Sequence, residues 1–167
     1  MRLRSFFVRP AVALLAAASL TLTAPALADA PEIEALGRGA AAVARGDYAL
    51  AEKEYASVRA GAKERAEAQL AVARIQLLTG RFAAVEKTAK SAASGGSGGK
   101  EARAEAAALR GAALAAQGKP ADAIAVLREV ESLDEARRAR LLLGELLIRT
   151  GKRAEAKAPL LTLVQDY

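Results

Sequence analysis

The 167-residue chain predicts an all-α protein, an α-α superhelix (solenoid) of about four helix hairpins. Three observations predict it. A glycine followed five residues later by alanine or valine recurs at Gly46, Gly80, Gly118 and Gly151, with separations of 34, 38 and 33 residues. Between those points apolar residues recur at three and four, the period of a helix face, with almost no strand alternation. Aromatic residues make up only 4% of the chain and alanine much of its apolar fraction, so the helices must approach closely around thin layers of Leu, Val, Ile and Ala.

Residues 1–28 read as a leader. A basic start with Arg2, Arg4 and Arg9, an apolar stretch over 11–24 and the small pair Ala26 and Ala28 are the three parts of a secretory signal peptide, cut between Ala28 and Asp29. Cuts after Ala24 or Ala30 would place Pro25 or Pro31 directly beyond the bond. The apolar stretch falls short of the roughly 20 residues of a bilayer span, so no integral span is expected after cleavage. Arg2 and Arg4 are not adjacent, which favours the general secretory route over the twin-arginine one. The chain has no cysteine, which excludes a lipid anchor at the cut and any disulfide framework. The expected place is the cell envelope, periplasmic or extracellular. Without the leader's three Arg, 22 basic residues face 19 acidic ones, a net charge of +3 rather than +6. Charge so interspersed is a solvated helix surface, and no nucleic-acid partner is expected.

Residues 29–167 form the predicted helical domain, with repeats over about 32–65, 66–99, 104–136 and 137–167. Eight helices are predicted, at 32–45, 48–60, 64–79, 82–93, 101–117, 120–132, 135–150 and 153–165. Each signature glycine ends the first helix of a pair, where a left-handed residue is needed. Asp47 is placed to cap the next helix and Pro120 to occupy a first turn. Pro159 falls inside the last helix and predicts a kink there. The run Ser94-Gly-Gly-Ser-Gly-Gly99 accounts for the long second spacing as a flexible loop insertion.

Seven residues before the turn glycines stand Gly39, Ala73, Gly111 and Gly144; nine after them stand Tyr55, Ala89, Leu127 and Leu160. Leu143 precedes Gly144, Tyr48 and Phe82 follow their turns by two, and Ala51, Val85, Ala123 and Ala156 follow by five. In these residues the chain resembles the tetratricopeptide repeat family, of the exported envelope type, over nearly all of 29–167. Small residues let two helices approach while large ones fill the gap beside them. Arg38 and Arg110 depart from the pattern, where it has a buried Leu, and predict a shift or local loosening of repeats one and three.

The resemblance implies a concave face built from the first helices, where a protein or peptide binds. It projects onto that face Ile33, Leu36, Ala40, Val43 and Ala44; Glu67, Leu70, Arg74, Leu77 and Leu78. It also projects Ala108 and its neighbours Glu105, Ala112, Ala115 and Ala116, and then Arg138, Leu141, Glu145, Ile148 and Arg149. Packing between helices competes with this role, above all for Leu77, Leu78 and Ile148. The partner-binding set is Leu70, Arg74, Arg138, Leu141, Glu145 and Arg149. The expected groove is alanine-floored and apolar, rimmed by Arg74, Arg138 and Arg149, and suited to an acidic or extended segment. No Asn lies among these positions, which argues against a clamp for a peptide's terminal carboxylate. In the last helix Leu160, Leu161, Leu163 and Val164 cannot all point at the preceding repeat, so they predict a contact edge.

The chain has no His and no Cys, which removes the commonest general base, metal ligand and thiol nucleophile. Acids such as Glu52, Glu54, Glu101, Glu105 and Asp122 sit among Lys and Arg at surface spacing, as salt-bridged faces do. Residues 94–101 echo a phosphate-binding loop, but Ser94 and Glu101 stand at its two ends and a helix precedes it where a strand is required. No catalytic constellation, cofactor or metal is expected. The expected function is a non-enzymatic scaffold or adaptor of the cell envelope. The alternative is an oligomerisation or docking module, an N-terminal fragment of a larger complex or a homo-oligomer joined through the C-terminal helix, whose partner carries the enzyme activity.

Overall fold

The computed structural model describes residues 30–96 and 98–165; the leader and its cut after Ala28 lie outside the described residues. The described residues form eight helices and no strand: α1 (Ala30–Ala44), α2 (Tyr48–Ala56), α3 (Arg65–Leu78), α4 (Phe82–Ser94), α5 (Gly99–Ala116), α6 (Pro120–Arg128), α7 (Arg137–Arg149) and α8 (Arg153–Gln165). The fold is all-α. Among the described residues no helix is long and apolar enough to cross a membrane.

The turn after each odd-numbered helix is built the same way four times. After α1 the Gly46 N–H donates to the Val43 carbonyl and the Asp47 N–H to the Ala42 carbonyl, both at 2.9 Å. That pair of bonds closes a helix through a left-handed residue, and Gly46 sits at φ 75°, where a β-carbon would be strained. Equivalent bonds end α3, α5 and α7 at Gly80, Gly118 and Gly151. The next helix starts at once. Asp47 accepts from the Leu50 N–H at 3.0 Å, and Pro120 opens α6, where its missing N–H costs nothing.

In three of the four pairs a glycine faces a large side chain, as Gly39 faces Tyr55. A β-carbon on Gly111 would lie 2.8 Å from the Leu127 side chain, and one on Gly144 would lie 2.5 Å from Leu160. In the second pair both partners are alanine, Ala73 and Ala89, and both are fully buried. Arg38 and Arg110 therefore do not shift their repeats, contrary to the sequence expectation. Arg38 turns outward to Glu54 at 2.7 Å, and Arg110 lies half-buried between Glu86 and Glu129, at 3.9 and 4.0 Å.

Helices α2 and α6 are shorter than the sequence predicts, stopping at Ala56 and Arg128 rather than near 60 and 132. Twelve residues after their turn glycines, Val58 and Val130 leave the helix and bury themselves in the core. At the same place α4 and α8 continue, with Ala92 and Leu163. Arginines of the following helix then hold the loops. Arg65 Nη1 donates to the Val58 carbonyl at 2.7 Å; buried Arg140 donates to the carbonyls of Glu131, Leu133 and Asp134 at 3.1, 2.6 and 3.2 Å. Pro159 lies within α8 with its ring fully buried.

The core is a row of three clusters rather than one centre. Ala42, Ala51, Tyr55 and Val58 join Ala68 and Ile75 of α3; Leu70, Ala73, Val85 and Ala89 join Ala106 and Leu109 of α5; Ala108, Ile124 and Leu127 join Leu143 and Leu146 of α7. Each consecutive pair of helices is in contact, and α5 also meets both α3 and α7. More than half of the buried apolar residues are alanine, so each leucine or valine among them carries a large share of the burial, roughly 1.5–3 kcal/mol apiece.

Candidate functional site

Helices α3, α5 and α7 lie side by side and leave a cleft of about 550 Å³ between them. Its floor is small and apolar: Leu70 with Ala66, Ala102, Ala104 and Ala139, all buried. Alanine at these places lets the three helices sit close, and the long side chains of the next turn rise around the opening.

Those walls are charged. Glu105 of α5 stands at the centre, and one of its oxygens accepts from Arg74 Nε of α3 at 3.1 Å and from Arg138 Nη1 of α7 at 2.7 Å. One carboxylate thus ties together three helices. Its side chain is only 17% exposed, so these bonds are shielded better than the open pairs elsewhere on the surface. Lys63, Glu67, Glu101 and Glu135 complete the wall. Among the described residues Glu67, Glu101 and Glu135 form no ion pair, which leaves the cleft with unneutralised negative charge.

The structure brings together Leu70, Arg74 and Arg138 of the sequence-derived set. Leu141, Glu145 and Arg149 lie outside the cleft, along α7, with Arg149 Nη1 3.6 Å from Glu145. The expectation of an apolar groove rimmed by three arginines is corrected on two counts. Arg74 and Arg138 are already engaged by Glu105, and the rim carries four carboxylates against three cations. Of the residues weighed as core, Leu77 is half-buried while Leu78 and Ile148 are exposed. In α8, Leu160 and Leu163 are half-buried and Leu161 and Val164 exposed.

Lys63, Glu101 and Glu135 were not projected onto the concave face. Each lies 16 or 17 residues before its turn glycine, one helical turn ahead of the first projected position. Extending the projection by that turn would have found them. The phenol of Tyr55 packs behind α3, where burial pushes its pKa above the usual 10, Arg74 pulls it down and Glu67 pushes it up. Among the described residues no group of three or more His, Cys, Asp or Glu could hold a metal ion.

No protein-family model matches the chain, and neither a curated protein nor a solved structure matches it significantly.

Proposed function

We propose that the chain is a non-enzymatic interaction scaffold of the tetratricopeptide kind, exported to the cell envelope, which holds an extended segment of a partner protein in the cleft of α3, α5 and α7. The four repeated turns, the small-to-large pairs across three of the four hairpins and the row of core clusters support a solenoid, in which each repeat packs only on its neighbours. One observation carries the binding role. Three first helices share an alanine-floored cleft whose walls are charged and open.

The free carboxylates of Glu67, Glu101 and Glu135 select a partner segment bearing Lys or Arg. Such complementarity raises the association rate and rejects acidic segments. Glu105 has a different task, since it already holds two guanidinium groups by hydrogen bonds and ties α3, α5 and α7 together.

The test is capture of envelope proteins by the mature chain, compared with a Glu67→Lys, Glu135→Lys variant. Both side chains are exposed, so the variant should keep its helicity. A partner held through the cleft is lost by the variant and weakens with salt. Equal capture by both forms, at low and high salt alike, would remove this cleft as the binding site.

A further inference from the structure

Ten residues before the turn glycine stand Leu36, Leu70 and Ala108, each packed into the cluster that the next hairpin's first helix completes. Three residues before it stand Val43, Leu77 and Ala115, half-buried in the same clusters. In the fourth hairpin the same two places are Leu141 and Ile148, 58% and 46% exposed. The far end of the second helix agrees. Ala93 of α4 packs against the cluster shared with α5, whereas its counterpart Val164 in α8 is 71% exposed. Leu161 is a separate case, because its counterparts Ala56, Lys90 and Arg128 are all exposed.

The covering helix also repeats. At 12, 9 and 5 residues before the turn glycine, α3 brings Ala68, Ala71 and Ile75 to the preceding cluster, and α7 brings Ala139, Leu142 and Leu146. The pattern is small or aliphatic at i, i+3 and i+7, one face of a helix. In α1 the same places hold Glu34, Gly37 and Ala41, all exposed. A second copy stacked head to tail would therefore bring Glu34 against Leu141 and Ile148 and offer nothing larger than a methyl group. The other first helices already spend this face inside the molecule.

We propose that the face formed by Leu141, Ile148 and Val164 is a docking site for an amphipathic helix of a partner protein, carrying small or aliphatic residues at i, i+3 and i+7. That helix seats on α7 and α8 as α5 seats on α3 and α4. The site is independent of the charged cleft.

The probe is a labelled synthetic peptide of residues 134–151, held helical by a lactam installed across positions 137 and 141, titrated into the full-length protein. Saturable binding is expected. Ile148→Glu or Val164→Glu in the protein weakens it by at least about tenfold, as replacing a packed aliphatic group with a charge does. Circular dichroism checks that these variants remain helical. Leu146→Glu in the peptide gives the same loss against the unaltered protein, and Leu161→Glu in the protein leaves binding within about twofold. No binding of the peptide, or binding indifferent to Leu146→Glu, overturns the proposal. So does a stable dimer in light scattering that Val164→Glu dissolves, because a second copy would then own the face.

Discussion

Gly39 and Tyr55 are in contact to the limit of packing: a β-carbon on Gly39 would stand 2.5 Å from Cε1 of the tyrosine ring and 2.7 Å from Cζ. The ring is buried and rigid, so it cannot yield as the tip of a flexible side chain would. Gly39→Ala gains up to about 1 kcal/mol of helix propensity but overpacks the hairpin by about 1–3 kcal/mol. A net loss of stability is expected in urea denaturation. Joined with Tyr55→Ala it should cost less than the two single changes added, because the pair then becomes the Ala73 and Ala89 arrangement of the second hairpin. Strict additivity would show that the ring does not set the spacing.

Tyr55 also predicts a pH dependence. Burial is the largest cause of its raised pKa, so the fold favours the protonated phenol. The sign follows from linkage: stability from this group is fully present below pH 10 and is lost as pH rises through the raised folded value. Phenolate absorbance should therefore report one tyrosine ionising later in the folded protein than after unfolding in urea. Tyr55→Phe should remove that late step and flatten the alkaline loss of stability. Glu67→Gln should bring the step earlier, since the Glu67 charge opposes a phenolate.

The hairpins were legible because a left-handed turn demands glycine, and the spacing of Gly46, Gly80, Gly118 and Gly151 placed every even-numbered helix start without error. The ends of α2 and α6 were not legible. Val58 and Val130 have apolar spacing that suits a continued helix, and what draws them out is the next hairpin, through Arg65 and Arg140. Half of the projected binding set met in one cleft. The ion pairs that define that cleft join residues 31 and 33 positions apart, close to one repeat length, and only the stacking of α3, α5 and α7 brings them together. Cation count along the sequence therefore suggested an acidic partner, whereas the paired charges leave an acidic site.

The proposed export makes a covalent prediction. Ala26 and Ala28 supply the small residues, and Pro25 and Pro31 block the neighbouring cuts, so the secreted protein should begin at Asp29. Intact-mass measurement of the exported chain decides it. Recovery of a chain beginning at Met1 from a membrane fraction would replace the leader with an anchor.

Arg140 supplies the last prediction. It is 3% exposed, yet its guanidinium reaches three carbonyls of the loop between α6 and α7, those of Glu131, Leu133 and Asp134. A hydrogen bond from a charged donor contributes about 1.5–3 kcal/mol, and a carbonyl left bare in the interior costs about 1–3 kcal/mol. Arg140→Met keeps much of the stem's packing but takes away every donor, so it should destabilise the protein by several kcal/mol and expose the amides of residues 129–136 to early hydrogen exchange. Arg140→Lys should recover little, because one ammonium cannot span the carbonyls that the planar fork reaches from two nitrogens. Full rescue by lysine would mean that the buried charge matters and the geometry does not. Protection unchanged in both variants would mean that Val130, rather than Arg140, holds the loop.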